Sequence, residues 1–224
     1  SRPFSVGWWA RSNGEDVKLA SGRWASTVKG DLFRINEWYG WTGKPNEGVQ
    51  MLATDIARGI VEREIQMGLR VQGDGGYCRV KPGVADSQIF AAENGNCIAV
   101  DFKSKVRLDD GIQYKGIQWL EADKRPGSRA TGWVQMRQML KNAHPTVLGE
   151  RDDGSLILGP REKPGLFIFS NCDNWARTVP VLPRDEDNPD DVNTDTEDHI
   201  ADETRYKVRS VGVSVSGGTV SGQH

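Results

Sequence analysis

Asp195-Thr-Glu-Asp-His-Ile-Ala-Asp-Glu-Thr-Arg-Tyr206 is the stretch whose reading decides the fold. Asp195 or Thr196 can cap a helix, and the acidic residues that follow suit the positive end of its dipole. Ile200, Thr204 and Val208 recur every fourth residue, which lines one helical face for a core. Asp198 and Asp202 are also four apart and share a second face, turned away from that stripe. Carboxylates stacked on adjacent turns repel each other, and a divalent cation between them relieves the repulsion. A solvated acidic helix start has the same pattern, so these twelve residues leave both readings open.

The acidity extends upstream. Ten of the 31 acidic residues fall in 185–203, which holds no Lys or Arg, while the other 21 face 29 Lys and Arg elsewhere. The net charge of −2 therefore conceals an acidic centre beside a basic remainder, compatible with a polyanionic partner held next to cations. The acidic loop is not an EF-hand: counted from Asp185, Asp190 stands where that loop requires glycine. Gly40-Trp-Thr-Gly-Lys-Pro45 is not a phosphate loop, because Pro45 follows Lys44 where Ser or Thr is needed.

At 224 residues, 37% hydrophobic and 27% charged, the chain has the composition of one globular domain. No apolar run approaches the roughly 20 residues that span a membrane, and the N-terminus lacks a signal-peptide pattern. Cys78, Cys97 and Cys172 are scattered without a Cys-x-x-Cys pair, which fits packing residues better than a disulfide framework or a zinc site.

Strand patterns are expected over 4–9, over 17–20 or 24–28, and over 32–39, joined as an antiparallel meander. A helical period covers 47–67 and closes at Gly68. Strand material follows at 69–72 and 83–90. In Val84-Ala-Asp-Ser-Gln-Ile-Phe90, Asp86 stands at a strand end, where open α/β sheets place their chemistry. A short helix at 97–106, a strand at 116–121, a basic loop at 122–129 and a helix over 131–141 come next. Lys124, Arg125, Arg129, Arg137 and Lys141 gather there, either as a solvated surface or as a patch that tracks phosphates. A hairpin around 152–155, a buried strand at 166–169 and a short helix through Trp175 precede the acidic loop. Residues 1–209 read as one domain, and the Ser-, Gly- and Val-rich 210–224 as a flexible tail or linker. The order gives an α/β fold: three antiparallel strands, then β-α-β-α, in one mixed sheet with helices on both faces.

Three stretches carry a resemblance. Pro180-Val-Leu-Pro-Arg-Asp-Glu-Asp-Asn-Pro-Asp-Asp-Val-Asn-Thr-Asp-Thr-Glu-Asp-His-Ile-Ala-Asp-Glu-Thr-Arg-Tyr206 resembles the C-terminal signature of tailed-bacteriophage terminase large subunits. Arg2-Pro-Phe-Ser-Val-Gly-Trp-Trp9 is similar to the first strand of their nuclease domain, and 84–90 to the fourth. The resemblance implies a ribonuclease H-like fold and a metal-dependent endonuclease that cuts concatemeric viral DNA during genome packaging. It implies Asp86, Asp198 and Asp202 as catalytic and metal-holding residues for two Mg2+ or Mn2+ ions. Lys124, Arg125, Arg129, Arg137 and Lys141 are then candidates for gripping double-stranded DNA. The implied setting is the cytoplasm of a phage-infected bacterium, away from membranes, with an N-terminal packaging ATPase domain, a portal and a small terminase subunit as partners. The family's first catalytic carboxylate is expected just ahead of the stretch matching 2–9, outside the 224 residues. Two other readings remain: another ribonuclease H-like phosphotransferase, such as a junction resolvase or transposase core, and a non-catalytic module that docks DNA or a portal ring.

Overall fold

A computed structural model describes residues 2–19, 21–71, 77–92 and 96–212. β1 (Phe4–Arg11) turns back through a small exposed pair, β2 (Val17–Lys18) and β3 (Trp24–Ala25), into β4 (Leu32–Gly40). α1 (Ala53–Gln66) leads to β5 (Gly83–Ala85) and α2 (Ile98–Lys103). β6 (Val106–Arg107) pairs with β7 (Gln113–Tyr114), and β8 (Trp119–Glu121) precedes α3 (Ser128–Asn142). The hairpin of β9 (Thr146–Glu150) and β10 (Leu156–Gly159) then gives way to β11 (Leu166–Ile168), α4 (Asp173–Thr178) and α5 (His199–Gly212).

The architecture is mixed α/β, but its strand order departs from the expected meander. The main sheet runs β1-β4-β11, with β1 antiparallel and β11 parallel to β4. β2 and β3 pair only with each other. They are two residues long, and Val17 and Trp24 are exposed, so they present no apolar face for the sheet to bury. β5 and β8 form a separate parallel pair. The single mixed sheet expected from the element order is therefore divided among the described residues.

Two cores flank the main sheet. Val6 and Trp8, two apart on β1, face Ile60 and Val61 of α1 and Phe102 of α2. Leu32 and Leu166 face Trp133 and Met136 of α3, Trp175 of α4, and Ile200 and Val208 of α5. The Ile200, Thr204 and Val208 stripe is entirely buried, as its spacing requires. Between sheet and α5 lies Arg34, also fully buried, which pairs with Glu203 and lies 3.3 Å from Glu37. Gly7 makes room for it: a Cβ there would stand 2.6 Å from Arg34 Nη1. Trp9 Nε1 donates to Glu203 Oε1 at 2.8 Å, so β1, β4 and α5 share one buried polar knot.

Several boundaries moved for local reasons. The helix expected over 47–67 starts at Ala53, because Gly48 is bridged to Trp41. The strand expected over 83–90 stops at Ala85, where the Asp86 side chain accepts from Gln88 N at 2.8 Å and caps a 3-10 turn over Ser87–Phe90. α5 starts at His199, beyond the two expected caps; the Asp198 carbonyl accepts its first bond, from Asp202 N at 2.8 Å. It extends to Gly212, three residues into the segment read as a tail, and 213–224 lie outside the described residues. Among the described residues, no helix is long and apolar enough to cross a membrane.

Candidate functional site

Because β5 and β8 are parallel, the residues after them emerge on one edge; Ala122 N to Ala85 O at 2.9 Å carries the ladder one step further. Asp86 and Asp123 follow at that edge, and α5 runs past both. Tyr206 Oη donates to Asp86 Oδ2 at 2.8 Å, and Arg209 Nη2 donates to Asp123 Oδ2 at 2.6 Å. Three residues apart on α5, Tyr206 and Arg209 share a face, so two adjacent strand ends grip successive turns of one helix.

Asp86 also accepts from Lys124 Nζ, at 2.8 Å on one oxygen and 2.7 Å on the other. Burial alone would raise its pKa, but Lys124, the Gln88 N–H and the Tyr206 hydroxyl hold it below the usual carboxylate range. The Tyr206 phenol is pushed up, first by burial and then by Asp202 and Asp86.

Arg129, in the first turn of α3, reaches the other carboxylates. Its Nε lies 2.7 and 2.8 Å from the two oxygens of Asp191, and its Nη1 is 3.2 Å from both oxygens of Asp202. Asp191 accepts in addition from Trp133 Nε1 at 2.7 Å, and Asp202 from Arg205 Nη2 at 3.0 Å. Asp198 is different. It is only 5% exposed, yet Arg129 Nη2 and His199 Nδ1 both stay 3.6 Å away, and its carboxylate accepts no hydrogen bond from the described residues. Burial, then repulsion from Asp202, pushes its pKa up to about 6. Arg129 Nη2 and His199 Nε2 are buried beside it with no hydrogen-bond partner among the described residues.

The structure thus sets Asp198 and Asp202 one turn apart on α5 and ties Asp86 to that helix through Tyr206. It does not draw the three together: among the described residues, no group of three His, Cys, Asp or Glu side chains converges in a metal-holding cluster. Lys124 and Arg129 lie against these carboxylates instead. The expected basic patch divides accordingly. Lys124, Arg125 and Arg129 are spent on Asp86, Asp123 and the Asp191–Asp202 pair. Arg137 and Lys141, exposed on α3 and one turn apart, have no carboxylate partner among the described residues. Asp123, Asp191, Tyr206 and Arg209 were missed by sequence reasoning, although Tyr206 and Arg209 lie four and seven residues after Asp202, on its helical face.

The donor set is all carboxylate oxygen, the kind preferred by hard divalent cations such as Mg2+ and Mn2+. Asp198 fits such an ion, since its buried charge has no hydrogen-bond donor from the described residues. Comparison with known protein families, curated proteins and solved structures gave no match.

Proposed function

We propose that this chain is a metal-dependent endonuclease domain acting on double-stranded DNA, of the ribonuclease H-like kind found in phage terminases. The observation that carries this reading is Asp198: a nearly buried carboxylate with no hydrogen-bond donor among the described residues, one turn from Asp202. An anion in that setting is costly unless a cation joins it. The resemblance of 2–9, 84–90 and 180–206 to terminase nuclease stretches supports the same assignment.

Asp198 and Asp202 would hold one ion, and Asp86 would contribute from the strand edge, oriented by the Tyr206 hydroxyl. Divalent ions there would supply an activated water and neutralise charge at the leaving oxygen of a phosphodiester. Arg129 keeps Asp202 and Asp191 in place from α3, and Lys124 does the same for Asp86. Arg137 and Lys141 offer unpaired positive charge to the DNA backbone, which confers grip without sequence preference.

Two measurements on the wild type and Asp198→Asn test the reading: Mn2+ binding by electron paramagnetic resonance, and nicking of supercoiled plasmid with Mg2+ or Mn2+ against an EDTA control. The expected result is Mn2+ binding and cation-dependent nicking, both lost in Asp198→Asn. Salt-sensitive DNA binding with neither Mn2+ uptake nor cleavage would overturn it in favour of a docking module. Preference for branched over linear duplex would move the assignment to a resolvase-type enzyme.

A further inference from the structure

The hairpin of β9 and β10 stands apart from both cores. Among the described residues its strands pair only with each other, and from Thr146 to Leu158 every residue except Gly149 is exposed. Yet the strands read Thr146-Val-Leu-Gly-Glu150 and Leu156-Ile-Leu-Gly159, which is core composition. We propose that one face of this hairpin docks on the same face of a second copy of the chain, the two hairpins running antiparallel about a two-fold axis. The proposal is independent of the nuclease reading.

The apolar side chains are sorted by face. Val147 stands opposite Leu158 across the ladder, and Leu156 lies two residues from Leu158, so all three project to one side. They are 55%, 56% and 51% exposed in that order. On the other side Ile157 stands opposite Gly149, and Leu148 leans over Gly159, where a Cβ would stand 2.8 Å from Leu148 Cδ1. Single exposed leucines are ordinary on a protein surface. Three adjacent aliphatic side chains on an isolated two-stranded ladder are not, because such a ladder is marginal in water until a face is packed. The tip is nonetheless held in shape: Arg151 N donates to Ser155 O at 2.8 Å, Gly154 N to Arg151 O at 2.9 Å, and Ser155 N to Asp153 Oδ1 at 2.9 Å. The face is therefore presented on a preformed element, which lowers the cost of docking.

Charge selects the occupant. At the tip three acidic residues, Glu150, Asp152 and Asp153, stand against Arg151 alone, and that excess repels a nucleic-acid backbone. The base has the opposite sign. Asn142 Nδ2 donates to Pro164 O at 3.2 Å and draws the two ends of the hairpin together, with Lys141 and Lys163 exposed on either side of that contact. Arg161 is cancelled by Asp31, and Glu162 offsets only one of the two lysines. Two hairpins stacked in parallel would set tip on tip and repel. Stacked antiparallel, each acidic tip lies against the other's basic base while the Val147, Leu156 and Leu158 face meets itself. That self-complementarity is what a two-fold contact between identical chains requires. Strands of five and four residues are about 13–17 Å long, so the contact is small and the dimer weak, with a dissociation constant of about 10–100 µM.

Sedimentation equilibrium of the full chain from about 5 to about 500 µM tests the proposal. The wild type is expected to pass from monomer to dimer across that range. Leu158→Asp sets a charge in the middle of the face and should weaken association at least about tenfold, whereas Leu148→Asp, on the other side, should change it less than about twofold. Both positions are exposed, so circular dichroism should show wild-type unfolding in each variant and exclude a folding artefact. Reversing Asp152 and Asp153 to Lys should weaken the dimer about fivefold, and adding Lys141→Glu with Lys163→Glu should restore it. A wild type that stays monomeric to about 500 µM would overturn the proposal and leave the face to a different protein. Association that is unchanged in Leu158→Asp, lost equally in Leu148→Asp, or not restored by the second pair of charge reversals would overturn it as well.

Discussion

Replacing Asp198 with Asn should stabilise the metal-free protein. The carboxyl has an ordinary value of 3.8 and is pushed to about 6 in the fold by burial and by Asp202. Below 3.8 it is protonated in both folded and unfolded chains, so wild type and variant should be equally stable. Between 3.8 and about 6 the folded chain binds the proton more tightly than the unfolded one, so wild-type stability falls as pH rises. Above that window the full cost, about 3 kcal/mol, is present. The variant never carries the charge. At pH 7.5 in EDTA it should melt about 6–12 °C higher, given 2–4 °C per kcal/mol for a domain of this size. At pH 5 about half of the gap should remain. Thermal unfolding followed by circular dichroism reads both. Mn2+ should then raise the melting temperature of the wild type and leave the variant where it was. A variant that is no more stable than wild type at pH 7.5, or a gap of the same size at both pH values, would refute the argument.

Ile200→Ala, which empties a fully buried position on the core face of α5, should cost about 2–5 kcal/mol in denaturant unfolding. Arg161→Ala removes the bidentate partner of Asp31, at 2.9 and 2.7 Å, and should cost about 3–5 kcal/mol because a buried carboxylate is left behind. Burial works to raise the Asp31 pKa, yet Arg161 and the Gly165 and Val28 N–H groups hold it below its usual 3.8. The stability it gives is therefore present above pH 3.8 and lost as pH falls through the depressed value, and the acid limb of the stability profile should flatten in Arg161→Ala. Gly132→Val places a Cβ 2.6 Å from Arg205 Cγ at the α3–α5 contact and should cost about 1–3 kcal/mol, read as a lowered melting temperature.

What the sequence made legible was local. The Ile200, Thr204 and Val208 stripe is a helical period, and burial of all three follows from that period alone. The hairpin at 152–155 was signalled by its turn residues, and β9 and β10 pair around it. Sheet order was not legible, because it depends on which strands find partners far along the chain. Leu166 lies beside Leu32, and no periodicity records that their strands run parallel. Arg34 was not legible either: nothing local in Leu-Phe-Arg-Ile marks its side chain for the core, and it is wholly buried because Glu203, 169 residues away, neutralises it.

The candidate site divides the same way, and the division bears on how it would work. The one-turn spacing of Asp198 and Asp202 is local and readable; the cations that meet the carboxylates are not, since Lys124 and Arg129 reach Asp86 and Asp202 from 38 and 73 residues away. Those cations explain how carboxylates from a strand end and from the start of α5 lie close together: Asp86 and Asp202 each have a protein counter-charge at hydrogen-bonding distance. Asp198 differs: burial and then repulsion from Asp202 raise its pKa and outweigh the lowering by Arg129, which pairs with it only at 3.6 Å. Under the nuclease reading, an ion seated at Asp198 and Asp202 competes directly with Arg129 Nη1 for the Asp202 oxygens. Metal affinity is then set by how readily Arg129 retreats onto Asp191, where its Nε already holds both carboxylate oxygens. Asp191 lies in the acidic loop, not on α5, so under that reading the loop would be a working part of the site, supplying the place where the displaced charge goes.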